Sequence, residues 1–336
     1  MYAEAERTLM ERIARALGRG LESPHWAEQK LMEVQFLQMQ TQRLVADLGN
    51  RAASKVAVDL AKAYNLGGAQ AAADLAALLK VELVEVTAPL RGLPPVELLV
   101  AETMGALEAT GARILRSTMD IYRSVVSEAA GQALAGGATR RQAAQLALNR
   151  FAEKGITGFV DKAGRGWNLE SYTEMAMRTS TGRAAVQGHL ERLQMYGQDL
   201  VIVSDAPREC PLCRPWEGRV LSISGTDPGR PTVDEARAAG LHHPNCRHSL
   251  SLYQRGATKV PRTDTADPKG YADTQKLRYL ERQTRAAKRV ESVAMDEAAR
   301  KQAAVRVRAY QAKIREHVDS TGVKRLRYRE QIGRAI

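Results

Sequence analysis

Cys210-Pro211-Leu212-Cys213 is answered further along by His243-Pro244-Asn245-Cys246. The chain has 336 residues and 3 cysteines, and all of the cysteines lie in these two tetrapeptides. Two stand at C-x-x-C spacing and the third at H-x-x-C spacing. Four soft ligands, two from each of two tight knuckles, meet the needs of a tetrahedral structural zinc site. With every coordination position filled by protein, the metal (Zn2+) holds the fold and does not activate water. The expected ligands are Cys210, Cys213, His243 and Cys246. His243 is preferred to His242 and His248 because H-x-x-C mirrors C-x-x-C. The alternative is a free thiol pair with an unrelated Cys246. Three cysteines cannot all pair within one chain, so metal-bound thiolates in a reducing compartment fit better than disulfides.

The sequence around the knuckles alternates strands and turns. Leu200-Val201-Ile202-Val203 is a short continuous apolar run, the pattern of a buried strand. Trp216 to Ser222 reads as a turn and a second strand. Thr232-x-x-Glu235 is a capping box for a short helix that ends at Gly240. Ser249 to Tyr253 supplies a last strand. Arg208, Glu209, Trp216 and Glu217 are expected to support the knuckle, with Trp216 packed beneath the metal. Upstream, Leu169 to Gly197 has helical character, and Glu174 and Arg178 stand at i, i+4 as an ordinary ion pair. Ile156 to Trp167 reads as two short strands joined by a turn. Gly164-Arg165-Gly166 belongs to that turn, since no helix with a P-loop lysine and hydroxyl follows.

The remainder is helical. Leu9, Ile13 and Leu17 fall at helical spacing before Gly18 and Gly20. Ser23-Pro24 is expected to restart the chain, with Ser23 as N-cap, for a helix carrying Trp26, Leu31, Val34, Leu37 and Leu44. Trp26 is a packing anchor. Gly49 to Ala52 and Gly67-Gly68 are expected breaks. Pro89 and Gly92-Leu93-Pro94-Pro95 mark a linker. Val96 to Leu134 reads as a long helix, in which Gly105 and Gly111 mark weak points or close contacts. Thr139-x-x-Gln142 caps a further helix that closes at Gly155. The fold class is therefore α+β: a mostly α-helical N-terminal region, a small zinc-stabilised α+β module and a long basic helical C-terminal tail. The expected divisions are 1–88, 89–155, 156–260 and 261–336.

Net charge is +12, which suits a polyanionic partner. Residues 271–336 hold 17 Lys and Arg against 8 Asp and Glu, a net of +9. That concentration points to a polyanion such as double-stranded DNA or to an acidic protein, against the alternative of a solvated helix face. The N-terminus is charged and lacks an apolar h-region, so no signal peptide is expected. The most apolar window, 69–86, is interrupted by Asp74, Lys80, Glu82 and Glu85, and no membrane span or membrane partner is expected.

The run Ile156 to Trp167, the helix with Tyr172-Thr173-Glu174-Met175 and Arg178-Thr179, the first knuckle followed by Trp216-Glu217-Gly218, and the closing His243-Pro244-Asn245-Cys246-Arg247 resemble a tailed-phage minor capsid protein. The type is minor capsid 2, related to the Mu F-like head morphogenesis proteins. The resemblance is carried by residues 150 to 255. It implies a virion protein present in few copies inside the head near the portal, made in the host cytoplasm. It also implies portal or major capsid partners, a part in head assembly and DNA packaging or delivery, and no enzymatic activity. Two other readings compete. One is a zinc-stabilised nucleic-acid-binding module, although no recognition helix with C₂H₂ spacing follows the knuckle. The other is a His-Asn-His nuclease using His242, His243, Asn245 and His248. The nuclease reading loses His243 to the metal, and the later histidine it needs is His317, far into the tail.

Overall fold

The computed structural model describes residues 1–79, 94–156, 159–160, 164, 166–260 and 265–333. The linker around Pro89 and Gly92, most of the 161–165 turn and the stretch from Pro261 to Asp264 lie outside the described residues. The protein is mostly helical with a small antiparallel sheet, the expected α+β class. Helices α1 (Tyr2–Gly18), α2 (Trp26–Met32), α3 (Val34–Leu79), α4 (Pro94–Leu134) and α5 (Arg140–Lys154) come first. A two-stranded ribbon follows, β1 (Phe159–Val160) with β2 (Gly166–Trp167). Then come α6 (Leu169–Met195), β3 (Leu200–Val203), β4 (Val220–Ser222), α7 (Val233–Ala238) and β5 (Leu250–Leu252). Helices α8 (Pro268–Ser292) and α9 (Glu297–Thr321) complete the order, before a 3₁₀ turn at Arg327–Glu330.

Two compact units are formed from interleaved segments. Residues 1–51, 107–173 and 273–336 make one; residues 52–106 and 174–272 make the other.

In the first unit, Leu9, Met10, Ile13 and Leu17 of α1 are buried, as their spacing requires. Trp26 is fully buried, and its indole N–H donates to the Leu17 carbonyl at 3.1 Å. The Thr139 capping box is formed in both directions, and α5 ends at Gly155 with φ 73°. The C-terminal helices belong to this unit. Leu277, Leu280, Thr284 and Ala287 of α8 are buried, and Leu277 and Leu280 cluster with Ile314 and Val323. Two arginines of α8 are also buried. Glu170 lies 3.2 Å from Arg285 and 3.8 Å from Arg289. Arg289 also donates to the Ala152 and Glu153 carbonyls at 2.8 and 3.0 Å, so it caps the C-terminus of α5. Part of the basic charge counted in residues 271–336 is therefore internal.

In the second unit, β3 is the central strand of the order β4-β3-β5, with Val201 opposite Leu221 on one side and Leu252 on the other. Its core joins Val201, Val203, Leu221, Leu250 and Leu252 to Leu75 of α3, Leu193 of α6 and Cys213. Asp74 accepts from the Leu252 N–H at 3.0 Å and ties α3 to the sheet edge.

Three local expectations are corrected. Gly49 and Gly67-Gly68 do not break the chain, because α3 runs unbroken for 46 residues. Gly67 is a contact position: a Cβ there would stand 1.8 Å from the Ala185 carbonyl oxygen, so α3 and α6 meet backbone to backbone. Gly111 has the same character inside α4, where a Cβ would lie 2.8 Å from Val45 Cγ1. Ser23 does not cap a helix. Helix α2 begins at Trp26 with His25 in the N-cap position, and the Ser23 hydroxyl accepts from the His25 N–H at 3.3 Å. Nor does one helix carry Trp26 to Leu44: α2 stops at Met32 and α3 starts at Val34.

Candidate metal centre

The centre lies where the ends of β3 and β5 meet the two knuckles. Ser204, just past β3, donates its N–H to the Ser249 carbonyl at 3.0 Å, and its hydroxyl accepts from the Ser249 N–H at 3.0 Å. This ladder extension holds the start of one knuckle beside the end of the other. In the first knuckle the Cys210 carbonyl accepts from the N–H groups of Cys213 and Arg214, both at 3.1 Å. A turn this tight puts both sulfurs on one side. In the second, the His243 carbonyl accepts from the Cys246 N–H at 2.9 Å. His242 and Asn245 there adopt left-handed backbone, with φ 56° and 68°. The Asn245 amide oxygen accepts from Arg178 of α6 at 2.7 Å, which fastens the turn to the helix.

The four expected ligands come together, with a fifth donor beside them. Cys210 Sγ lies 2.8 Å from His243 Nε2, and Cys213 Sγ lies 3.5 Å from Cys246 Sγ. Cys246 Sγ also lies 3.5 Å from His248 Nδ1. The donor atoms form two overlapping groups, Cys210–Cys213–His243 and Cys213–Cys246–His248, each with all members within 4.8 Å of one another. Three sulfurs and two imidazole nitrogens at such separations fit a thiophilic metal such as zinc. Cys213 is buried and shared by both groups, while Cys210 and Cys246 are half-buried.

Proton sharing among the sulfurs follows from the crowding. The hydrogen bond shared by Cys213 and Cys246 pulls the Cys246 pKa down against the effect of burial. The same bond, with burial and the neighbouring sulfurs, pushes Cys213 up. One proton between two sulfurs is the arrangement that a bound cation replaces.

Buried polar groups stand behind the sulfurs. Glu217 is 4% exposed, and its carboxylate accepts from the Ala206 N–H at 3.2 Å, from Arg214 at 2.8 Å and from His248 Nε2 at 2.7 Å. Arg214 also reaches Glu209 at 3.2 Å. Glu209 and Glu217 thus support the first knuckle, as expected. Trp216 packs against the core of the second unit, as Cys210 and Cys246 do, and Arg219 is stacked 5.4 Å from its ring centre. Burial lowers the pKa of His248, but its bonds to Cys246 and Glu217 outweigh that and raise it. Burial lowers the pKa of His242, which belongs to neither donor group. His317, the later histidine of the nuclease reading, lies on α9 and donates to the Asp273 carbonyl at 2.8 Å.

Sequence spacing did not find the pairing of His248 with Glu217 or that of Arg178 with Asn245. The repeated histidines of His242-His243 and Arg247-His248 were the available signal, and the mirrored spacing drew attention to His243 alone.

The family described as phage minor capsid protein 2 matches residues 1–319. A protein named "Structural protein" from Lactococcus phage LL-H is 28% identical over 218 residues, covering 59% of this chain. The chain spans 58% of that relative's length. No solved structure matches the chain.

Proposed function

Because the chain belongs to the phage minor capsid protein 2 family, we propose that it works as a non-enzymatic component of the phage head, placed near the portal and assisting head assembly and DNA packaging or delivery. The observation that carries this reading is the family match over residues 1–319, which takes in both compact units and the knuckles. The likeness to a phage structural protein supports it as well.

Within that role the centre is a clasp. Cys210, Cys213 and Cys246, with His243 as the imidazole that the spacing nominates, would hold a structural zinc ion. The ion would fix the two knuckles against the three-stranded sheet. Docking onto portal or capsid subunits would use exposed apolar side chains of the first unit. Leu31, Met32 and Phe36 are each more than half exposed, and Met39 is 40% exposed. DNA contact would use the outward face of α9, where Lys301, Arg308 and Arg315 are exposed at successive two-turn intervals. No helix among the described residues is long and apolar enough to cross a membrane.

The test is to purify precursor and mature heads and quantify the protein in each. Low but constant copy number in both, with cross-links to the portal, is the expected result. Absence from both kinds of head would overturn the reading.

A further inference from the structure

We propose that His248 is a metal ligand of this centre and that Glu217 positions it. The inference rests on the reading of the knuckles as a metal centre, and it adds a donor that the knuckle spacing does not nominate.

Each of the two histidines beside the sulfurs has one ring nitrogen on an oxygen and the other facing a thiol. His243 places Nδ1 2.8 Å from the Pro244 carbonyl and Nε2 2.8 Å from Cys210 Sγ. His248 places Nε2 2.7 Å from the Glu217 carboxylate and Nδ1 3.5 Å from Cys246 Sγ. A carbonyl or a carboxylate only accepts, so the ring proton of a neutral imidazole stays on the oxygen side. The lone pair then points at the sulfurs in both rings. That is the tautomer a ligating histidine needs, and it is set by the bond that the other nitrogen makes.

The two rings are not equivalent. The His243 anchor is the neutral carbonyl of the exposed Pro244. The His248 anchor is a carboxylate whose side chain is 0% exposed, and the His248 side chain itself is 3% exposed. A carboxylate behind an imidazole fixes the ring and raises its basicity as a ligand. Glu217 is also immobilised from behind by Ala206 and Arg214. A structural zinc takes four donors and five are present. His248 is the better-anchored imidazole and takes the fourth place beside the three thiolates, with His243 as the exchangeable alternative.

The competing account is that His248 and Glu217 form a buried hydrogen bond with no role at the metal. Zinc affinity of the full-length chain, measured by chelator competition, and the spectrum of the cobalt(II)-substituted protein separate the two accounts. His248→Ala is expected to weaken zinc binding at least about 10-fold, and Glu217→Gln about 10-fold or more. His243→Ala should cost less than either. His248→Cys should retain the metal and add sulfur-to-cobalt charge-transfer intensity, since a fourth thiolate joins three; a merely packed residue would add none. If His248→Ala fails to fold, the Cys and Gln variants carry the test. Wild-type affinity and an unchanged cobalt spectrum in His248→Ala, or no added charge transfer in His248→Cys, would overturn the assignment. A wild-type chain that takes up no zinc or cobalt under reducing conditions would overturn the metal reading beneath it as well.

Discussion

The backbone carbonyl of Tyr64 occupies the space that a side chain on Gly188 would need: a Cβ at 188 would stand 2.0 Å from that oxygen. Gly67 makes the reciprocal approach to Ala185 in the same pair of helices. Neither obstacle is a flexible side chain, so α3 and α6 must separate to admit a methyl group. Gly188→Ala and Gly67→Ala should each destabilise the second unit by about 3 kcal/mol, at the upper end for overpacking. Gly49 has open space around it in the same long helix. There, Ala should stabilise by up to about 1 kcal/mol through helix propensity alone. Urea unfolding of the three variants checks the contrast, and equal effects at Gly49 and Gly188 would refute it.

Glu170 is the ion-pair partner shared by two buried arginines, Arg285 and Arg289, from the far end of the sequence. Removing the carboxylate takes from both buried cations the ion-pair partner they share. Glu170→Ala is expected to cost about 3–5 kcal/mol. Replacing an exposed pair such as Arg51–Asp47 should change stability by less than about 1 kcal/mol. Thermal unfolding distinguishes them, and a neutral Glu170→Ala would mean that the buried pair adds nothing.

Glu6 supplies a pH dependence of unusual sign for a carboxylate. Burial holds its pKa above 4.5, and the opposing pull of Arg289, of the Ile156 N–H and of Arg285 does not offset this. The folded chain therefore keeps a proton over a range in which the unfolded chain has lost it. Its contribution is fully present below the unfolded pKa and is lost as pH rises through the folded one, at about 1.4 kcal/mol per unit of separation. Glu6→Gln keeps an acceptor for the Ile156 N–H, which reaches Glu6 at 2.6 Å. That variant should be at least as stable as the parent at pH 7 and should lose stability less steeply as pH rises through the folded-state pKa of Glu6. Unfolding titrations at several pH values read this directly, and an unchanged profile would refute it.

Metal content gives a further check. One zinc per chain is expected in protein purified under reducing conditions, and Cys213→Ser, which touches both donor groups, should reduce that to none. Chelation of the wild type should lower its unfolding midpoint, because binding energy at a structural site is folding energy. His242 belongs to neither donor group, so His242→Ala should retain the full zinc content. Elemental analysis decides, and loss of zinc in His242→Ala would revise the ligand set.

DNA contact should be tested by surface substitution, since residues 273–336 are part of the first unit and their removal would unfold it. Lys301→Gln, Arg308→Gln and Arg315→Gln combined should weaken double-stranded DNA binding and reduce the salt slope by about 3, close to one per lost phosphate contact. Circular dichroism should show an intact fold. An unchanged slope would remove α9 from the interface.

Local chemistry was legible in the sequence. The Thr139 and Thr232 capping boxes, the buried strand at 200–203 and the convergence of the three cysteines all follow from short-range patterns. Glycine was read less well. One dimension does not separate a helix stop from a helix contact, and Gly67 is settled only by Ala185, far along the chain. The same limit explains the basic C-terminus. Its charge excess is visible residue by residue, but the partnership of Arg285 and Arg289 with Glu170 is a matter of tertiary packing. At the metal centre, spacing found the sulfurs, whereas the tie of His248 to Glu217 spans a strand, a loop, a helix and the second knuckle.

The interleaving of the two units has a consequence for biosynthesis. The first unit draws on residues 1–51 and on residues 273–336, so its opening helix is made long before its closing ones. At roughly 5–20 residues per second, Leu9, Ile13 and Leu17 wait on the order of ten seconds to a minute for that last segment. The second unit needs nothing beyond residue 272 and is complete on the ribosome first. The segments that carry the knuckles are thus all made before the last segment that covers the N-terminal helices, and that interval is when a chaperone or an assembly partner has most to offer the chain.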